Sequence, residues 1–273
     1  MRSINALLTK KTLTDAEKEA IVRSADLKPS REHHIDIEGK KFRFLYISDT
    51  HIGHKKFDES LFERAVVAAK TQHVDFILHP GDHVEGMSGR PGHVYELHKV
   101  GFNDQVNYAR DLYAQFDKKP IYAIDGNHDF WYVQKNDAGC YVGRTLEQRL
   151  PAYKHLGEWE GDLVINGGLK IKLFHANDGT AYATSYKLQK LIESFTGGEK
   201  PHIVLSGHYH KAIYMFNRNV HGFECGTICG QSGFMRGKKI PAHKGFGVVD
   251  VTMSGGRHKS VDSLTHTFYP GYD

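Results

Sequence analysis

Residues 42–51 read FRFLYISDTH, and no other segment of the chain is as informative. Residues 42–48 form an apolar run that is typical of a buried β-strand. Asp49 and His51, two residue types that bind metals, follow directly after it. Ligands of open α/β sheets bind at the carboxyl ends of the strands. The sequence therefore predicts a functional site where this strand ends.

Four further apolar runs end in the same way. They are predicted strands at residues 74–78, 120–124, 169–174 and 203–205. The polar motifs that follow them are Gly81-Asp82-His83-Val84-Glu85, Gly126-Asn127-His128-Asp129, His175 with Asn177, and Gly207-His208-Tyr209-His210. A single motif of this kind occurs by chance, but five in order after five strands do not. We therefore expect the five clusters to converge in one site.

The rest of the chain is consistent with an α/β fold. Apolar residues at helical spacing predict helices at 57–72, 102–116 and 186–195, and residues 213–253 read as strands with glycine-rich turns. This order predicts an α/β core with a second sheet. The loop of residues 84–101 contains Gly86, Gly89 and Gly92, and loops of this length are often functional.

Two regions are predicted along the chain. Residues 1–35 are predicted to be an N-terminal helical extension, with a capping box at residues 14–17 and a helical pattern through residue 25. A remnant of a helix-turn-helix is the alternative for this segment. Residues 36–273 are predicted to form the main domain, which carries all five polar motifs.

Composition limits the protein class. Of the 273 residues, 40% are hydrophobic and 25% charged, which argues against disorder. No apolar stretch approaches the ~18 residues that span a bilayer, and the start lacks the apolar run of a signal peptide, so a cytoplasmic location is expected. The net charge of +4 permits a nucleic-acid partner without requiring one.

The chain has three cysteines, Cys140, Cys225 and Cys229, which are too few for a disulfide framework. Cys225 and Cys229 could supply half of the ligands of a zinc site, but buried free thiols are the favoured interpretation.

The clusters contain a set of hard and borderline metal ligands. The candidate ligands are Asp49, His51, Asp82, Asn127, His175, His208 and His210. Oxygen and nitrogen donors without thiolates suit manganese, iron, zinc, nickel or cobalt. Seven ligands exceed the needs of one ion, and a carboxylate shared by two ions explains the number. Two ions about 3.5–4 Å apart are a known arrangement for cleaving phosphate esters.

The motifs between Asp49 and His210 resemble the ordered motifs of the calcineurin-like metallophosphoesterase superfamily. The resemblance implies a four-layer αββα sandwich of two mixed β-sheets flanked by helices, with two divalent metal ions, of which Mn²⁺ is favoured here. It assigns Asp49, His51, Asp82 and His210 to one ion, and Asp82, Asn127, His175 and His208 to the other. Asp82 would then bridge the two ions.

The resemblance also assigns catalytic roles. His128 would contact the scissile phosphate and protonate the leaving oxygen, and Glu85 or Asp129 would help to hold that proton. The sequence departs from the family pattern at Ala176, where glycine is common, and at Glu85, where many phosphatases have aspartate. The expected reaction is in-line attack on phosphorus by a hydroxide that bridges the two metals.

The substrate is less well determined. Residues 47–53 are similar to the first motif of the superfamily's DNA-repair nucleases, so phosphodiester hydrolysis in nucleic acid is predicted. The candidate substrate contacts are Arg90 and His93 for phosphates and Tyr209 for a base. Other candidates are Arg236, Lys238, Lys239, Tyr141 and Phe234. The alternatives are a phosphodiesterase or phosphatase for small nucleotides and a non-catalytic polymerase or repair subunit; the intact ligand set argues against the latter.

Overall fold

The computed structural model describes residues 14, 32–134, 139–255 and 259–272. The capping box and helix predicted within residues 1–31 lie outside the described residues, apart from Thr14. Residues 32–35, which were predicted to belong to the N-terminal extension, instead form a strand that pairs with residues 162–165. The larger of the two compact units of the chain accordingly begins at Glu32.

The described residues contain twelve strands and six α-helices. The strands are β1 (Glu32–Ile35), β2 (Lys41–Tyr46), β3 (Phe76–Pro80), β4 (Ile121–Ile124), β5 (Tyr153–Gly157), β6 (Glu160–Ile165), β7 (Leu169–His175), β8 (Ile203–Gly207), β9 (Ala212–Asn217), β10 (Val220–Cys225), β11 (Gly245–Met253) and β12 (Val261–Pro270). The helices are α1 (Glu59–Thr71), α2 (Phe102–Ala114), α3 (Asn127–Gln134), α4 (Val142–Arg149), α5 (Tyr186–Ser194) and α6 (Gly233–Gly237). A 3₁₀ helix spans His93–Glu96.

The strands form two mixed six-stranded sheets. One sheet has the order β12-β11-β2-β3-β4-β5 and the other β1-β6-β7-β8-β10-β9. Strands β2 to β5 run parallel, and β7, β8 and β10 run parallel in the second sheet. Parallel strands end at the same edge of a sheet, so the loops that follow them lie side by side.

Three apolar cores hold the layers together. Phe44 and Phe76 of the first sheet pack against Leu173 and Phe223 of the second in the central core. Helices α1, α2 and α4 cover the outer face of the first sheet, through residues such as Phe62. Helix α5 covers the outer face of the second sheet. The four-layer αββα sandwich predicted from the sequence is therefore confirmed.

Two smaller expectations also have an outcome. Cys225 and Cys229 are buried, and among the described residues no cluster of potential metal ligands includes a cysteine. None of the helices in the described part of the chain is both long and apolar enough to cross a bilayer.

Candidate metal centre

The predicted ligands lie at, or just beyond, the carboxyl ends of five strands. Asp49 and His51 follow β2, Asp82 follows β3, and Asn127 follows β4. The ligands after the second sheet's strands are His175, His208 and His210, from β7 and β8. The two sheets thus contribute to one site, and the structure brings all seven side chains together.

The backbone is unusual at these positions. The ligands with positive φ, between 46° and 87°, are Asp49, His51, Asp82, His208 and His210. Side-chain-bearing residues avoid this region, at a cost of about 1–3 kcal/mol each, and such strain clusters at functional sites. The sharp turns aim consecutive polar side chains at the same point. The tertiary structure must stabilise these turns, because the local sequence does not favour them.

Asp49, His51 and His210 form the first set of ligands. The Nε2 atoms of His51 and His210 are 3.0 Å apart, and Nε2 of His210 is 3.4 Å from Oδ1 of Asp49. Asp49 Oδ1 also accepts the backbone N–H of His208 at 2.8 Å. Three donor atoms at this separation form a pocket of a size that one cation would occupy.

Asp82, Asn127, His175 and His208 form the second set. Oδ1 of Asn127 is 3.1 Å from Nε2 of His175 and 2.8 Å from Nδ1 of His208. Oδ2 of Asp82 is 3.4 Å from Nε2 of His175. The other ring nitrogen of His175 contacts the Pro80 carbonyl oxygen at 2.8 Å, an outer contact that fixes the ring's orientation.

Asp82 lies between the two sets. Its Oδ2 atom faces His175 at 3.4 Å and His51 Nε2 at 3.8 Å, so one oxygen is directed at both groups. Its Oδ1 atom accepts the backbone N–H of His128 at 2.8 Å, which holds the carboxylate in place. This geometry suits a bridging ligand.

The residues present fit a pair of divalent cations. Asp49 and Asp82 are 0% and 1% exposed, and buried carboxylates need positive partners. Burial acts to raise the pKa of Asp82, yet the imidazoles of His175 and His128 hold it well below its usual value. Burial acts to lower the pKa of His175, but Asp82 and Asp49 raise it to about 9. A cation would replace the proton of His175, since metal ligation requires the neutral ring.

A family comparison agrees with this geometry. Residues 42–222 match the model of the calcineurin-like phosphoesterase family. The chain belongs to this family. Family membership implies divalent metal ions as cofactors, and the two ligand sets offer places for them. No curated protein sequence matches the phosphoesterase.

Several solved structures are similar to the phosphoesterase in fold. A novel archaeal phosphodiesterase shares 15% identity, with 76% of this chain and 92% of that chain covered and a TM-score of 0.46. A phosphoesterase from E. coli shares 11% identity over 82% of this chain and 98% of that one, with a TM-score of 0.42. A putative 5′-nucleotidase from Staphylococcus aureus shares 15% identity, with 85% of this chain and 55% of that chain covered and a TM-score of 0.48. Because these identities and TM-scores are low, the family assignment depends on the match of residues 42–222 to the family model.

His128 stands beside the metal centre of the phosphoesterase. Its ring packs edge-on against His51, with centroids 4.4 Å apart, and lies against Trp131 at 3.8 Å. Its Nδ1 atom donates to the Glu85 carbonyl oxygen at 2.9 Å, which leaves Nε2 for a substrate. Burial acts to lower the pKa of His128, but Asp82 and Glu85 raise it to about 9. The two carboxylates thus favour the protonated form of this ring.

Glu85 connects three imidazoles. Its Oε1 atom is 2.8 Å from Nε2 of His93, and its Oε2 atom is 2.9 Å from Nδ1 of His51 and 3.5 Å from Nδ1 of His128. The carboxylate is buried, and these partners keep its pKa well below the usual value against the effect of burial. The longer glutamate thus reaches both His51, a predicted metal ligand, and His128.

Asp129, the other predicted partner of His128, has a different environment. Its oxygens accept the backbone N–H groups of His83, Val84 and Gly126 at 2.8–3.2 Å. Burial and the nearby Asp125 raise the pKa of Asp129. These contacts join the loops after β3 and β4, so the structure places Asp129 as a brace between ligand-bearing loops. Its predicted catalytic role finds no support in these contacts.

The predicted substrate contacts occupy three kinds of position. His93 is 2% exposed. Its Nε2 atom contacts Oε1 of Glu85 at 2.8 Å, and its Nδ1 atom accepts the backbone N–H of Ser88 at 3.2 Å. Tyr209 is buried, and its hydroxyl donates to Asp178. Arg90 is partly exposed at the cavity and pairs with Glu96 at 2.7 Å. Of the three, Arg90 has the most exposed side chain.

A cavity of about 640 Å³ adjoins the metal centre. Its lining includes ligands from both sets and residues that sequence reasoning did not connect with the site, namely Glu96, Trp131, Asp178, Met235 and Ile240. The Asp178 carbonyl oxygen lies 2.9 Å from Nε2 of His208, so this residue orients a ligand. No local pattern marks Trp131 or Asp178, because the packing of loops from both sheets brings them here.

Proposed function

We propose that this phosphoesterase hydrolyses phosphodiester bonds in a nucleotide-containing substrate, using two divalent metal ions. The observation that carries the proposal is the position of Asp82, whose Oδ2 atom faces both ligand sets. A second group, His128, stands next to that centre with a ring nitrogen free to approach a substrate. The pairing of two metal positions with one proton donor suits cleavage of a P–O bond.

The side chains would divide the reaction between them. Asp49, Asp82, Asn127 and the ligand histidines would hold two cations, and Mn²⁺ is the ion that we propose for this mixed donor set. When bound, such ions supply an activated water and neutralise charge on the phosphoryl oxygens. His128 would bind a phosphoryl oxygen or donate its proton to the leaving oxygen. Glu85 would keep the ring oriented, through the contact at 3.5 Å.

A nucleic-acid strand end and a small nucleotide diester are the two substrates that the cavity favours. Its volume of about 640 Å³ is that of a site for one small ligand and supports entry of one nucleotide unit rather than a duplex. A second cavity, of about 610 Å³, shares Gly230 with the first. Its charged lining residues are Lys55, Lys56, Arg236, Lys244, Asp58 and Glu59, and Lys244 pairs with Asp58 at 3.0 Å. The excess of cations over carboxylates would suit a further phosphate of a longer strand, which supports the nucleic-acid substrate.

The test is a substrate panel with the manganese-loaded protein. The panel contains bis-p-nitrophenyl phosphate, p-nitrophenyl phosphate, cyclic nucleotides, a dinucleotide and end-labelled single- and double-stranded DNA. We expect diester cleavage that EDTA abolishes, and cleavage of single-stranded ends in preference to duplex interior. Hydrolysis of monoesters alone would contradict the proposal. Metal binding without turnover of any ester would instead favour a non-catalytic subunit.

A further inference from the structure

The lining of the cavity beside the metal centre includes an exposed aromatic side chain. Phe234, on the short helix α6, lines the same cavity as the ligands His51 and His208. Its side chain is 50% exposed, which is high for a large apolar ring. Exposing that ring to water is unfavourable, by about 25 cal/mol for each Å² of apolar surface. A ligand that covers the ring would recover this free energy.

An arginine is held against this ring. The guanidinium carbon of Arg90 lies 5.6 Å from the centroid of the Phe234 ring. Glu96 binds the guanidinium at 2.7 Å, and Nε2 of His54 is 3.6 Å from the same glutamate oxygen. The salt bridge fixes a planar, charged group beside an aromatic face, an arrangement in which arginine also stacks on bases. The loop of residues 84–101 thus contributes one side of a binding surface and α6 the other.

A second aromatic side chain belongs to the same cavity. Trp131 lies on α3 and packs against His128, with ring centroids 3.8 Å apart and planes inclined by 33°. His93 meets the edge of the Trp131 indole at 5.7 Å. Trp131 therefore supplies an apolar surface directly beside the proton donor. With cations held by the predicted ligands, the cavity of about 640 Å³ would combine an anion-binding end with apolar, flat surfaces.

We propose that Arg90 and Phe234 form a subsite that binds the base of a nucleotide whose phosphate is held at the metal centre. The inference deepens the proposed function and rests on it for the placement of the phosphate. Stacking of a base on an aromatic side chain contributes about 1–3 kcal/mol and tolerates any base. The subsite therefore selects substrates that carry a base over aliphatic phosphodiesters.

Binding of two phosphate monoesters that differ only in the base tests the subsite. Adenosine 5′-monophosphate and ribose 5-phosphate are titrated calorimetrically into the full-length, manganese-loaded protein. We expect the nucleotide to bind about tenfold more tightly than the sugar phosphate. In Phe234→Ala, the affinity for the nucleotide should fall about tenfold, or 1.4 kcal/mol, while the affinity for ribose 5-phosphate stays the same. Phe234→Leu, which retains apolar volume without a π-face, should lose affinity in the same direction.

A matched control separates this effect from a general one. Tyr95 is an aromatic residue of the adjoining 3₁₀ helix, 79% exposed, and is not part of the cavity lining. Tyr95→Ala should leave both affinities unchanged. The subsite is refuted if the wild-type protein binds the two ligands with equal affinity or binds neither of them. It is also refuted if Phe234→Ala and Phe234→Leu reduce the affinity for the nucleotide and the affinity for ribose 5-phosphate by the same factor.

The binding assay is independent of turnover. If the protein cleaves no diester but still binds the nucleotide through Phe234, the proposed function fails and the subsite stands. If diesters are cleaved while Phe234→Ala changes kcat/KM equally for a dinucleotide and for glycerophosphoethanolamine, the subsite fails and the phosphodiesterase stands. A selective loss for the dinucleotide supports both.

Discussion

Replacing Glu85 by glutamine should slow turnover without releasing the metals. The glutamate is not among the seven ligands, but its oxygens lie 2.8 Å from His93, 2.9 Å from His51 and 3.5 Å from His128. Glutamine keeps the size and loses the charge. A hydrogen bond to a charged group contributes about 1.5–3 kcal/mol. Loss of one such contact in the transition state corresponds to a fall in kcat of about 10- to 100-fold.

The pH dependence gives the sharper readout. Burial acts to lower the pKa of His128, while Asp82 and Glu85 raise it to about 9. Bound cations would neutralise Asp82, which leaves Glu85 as the carboxylate that stabilises the imidazolium. The acid must be protonated, so activity is present below this pKa and is lost as pH rises through it. In Glu85→Gln the pKa falls, and the alkaline limb of kcat/KM should move to lower pH.

The assay compares two leaving groups between pH 6 and pH 10. A dinucleotide needs a proton on its leaving oxygen, whereas p-nitrophenolate departs readily without one, so Glu85→Gln should impair dinucleotide cleavage more. Glu158→Gln is the matched control, because Glu158 pairs with Arg144 and does not line the cavity. An unchanged alkaline limb in Glu85→Gln with full metal content would refute the role of Glu85. Loss of metal would show that its contact with His51 dominates.

Three further substitutions test the centre itself. Asp82→Asn should reduce the number of bound metal ions and abolish activity together, because Oδ2 of Asp82 faces both ligand sets. Elemental analysis that still finds two ions per chain would contradict the bridging position of Asp82. His128→Ala should retain the metals and lose about 10²- to 10⁴-fold in kcat for a dinucleotide, the range for general acid catalysis, and a rate near wild type would exclude this role. Gly126→Ala should lower metal affinity, because a Cβ at this position would overlap Asp82 Oδ1. Gly197→Ala is the control and should leave metal affinity unchanged, because the space around Gly197 is open. Equal metal affinities of the two variants would contradict this packing argument.

Helix and strand positions were largely predictable where one apolar face is buried. The helix predicted at 57–72 spans Glu59–Thr71, and the one predicted at 102–116 spans Phe102–Ala114. Asp58 caps the first of these by accepting the N–H of Leu61 at 2.9 Å, which explains the later start. Periodicity is a strong signal for such elements because burial selects the same face at every turn.

Other elements had no local signal strong enough to predict them. No element was predicted between residues 127 and 165, yet this region holds α3, α4, β5 and β6. Helix α3 begins at Asn127, itself a predicted ligand, so its first turn reads as a polar loop. Strand β12 at the sheet edge was also missed; it pairs with β11 and is only partly buried. Tertiary pairing rather than propensity determines such segments.

The sequence by itself determined which residue types follow which strands, and hence the candidate ligand set and the resemblance to the family. That information is local: an apolar run and the polar residues after it are neighbours in the chain. Only the tertiary structure decided the contacts between loops. It held His93 against Glu85 at the cavity lining with 2% of its surface exposed, and it brought Phe234 against Arg90, which lies 144 positions earlier in the chain. The reason is physical, since these contacts depend on how two sheets pack through their shared core.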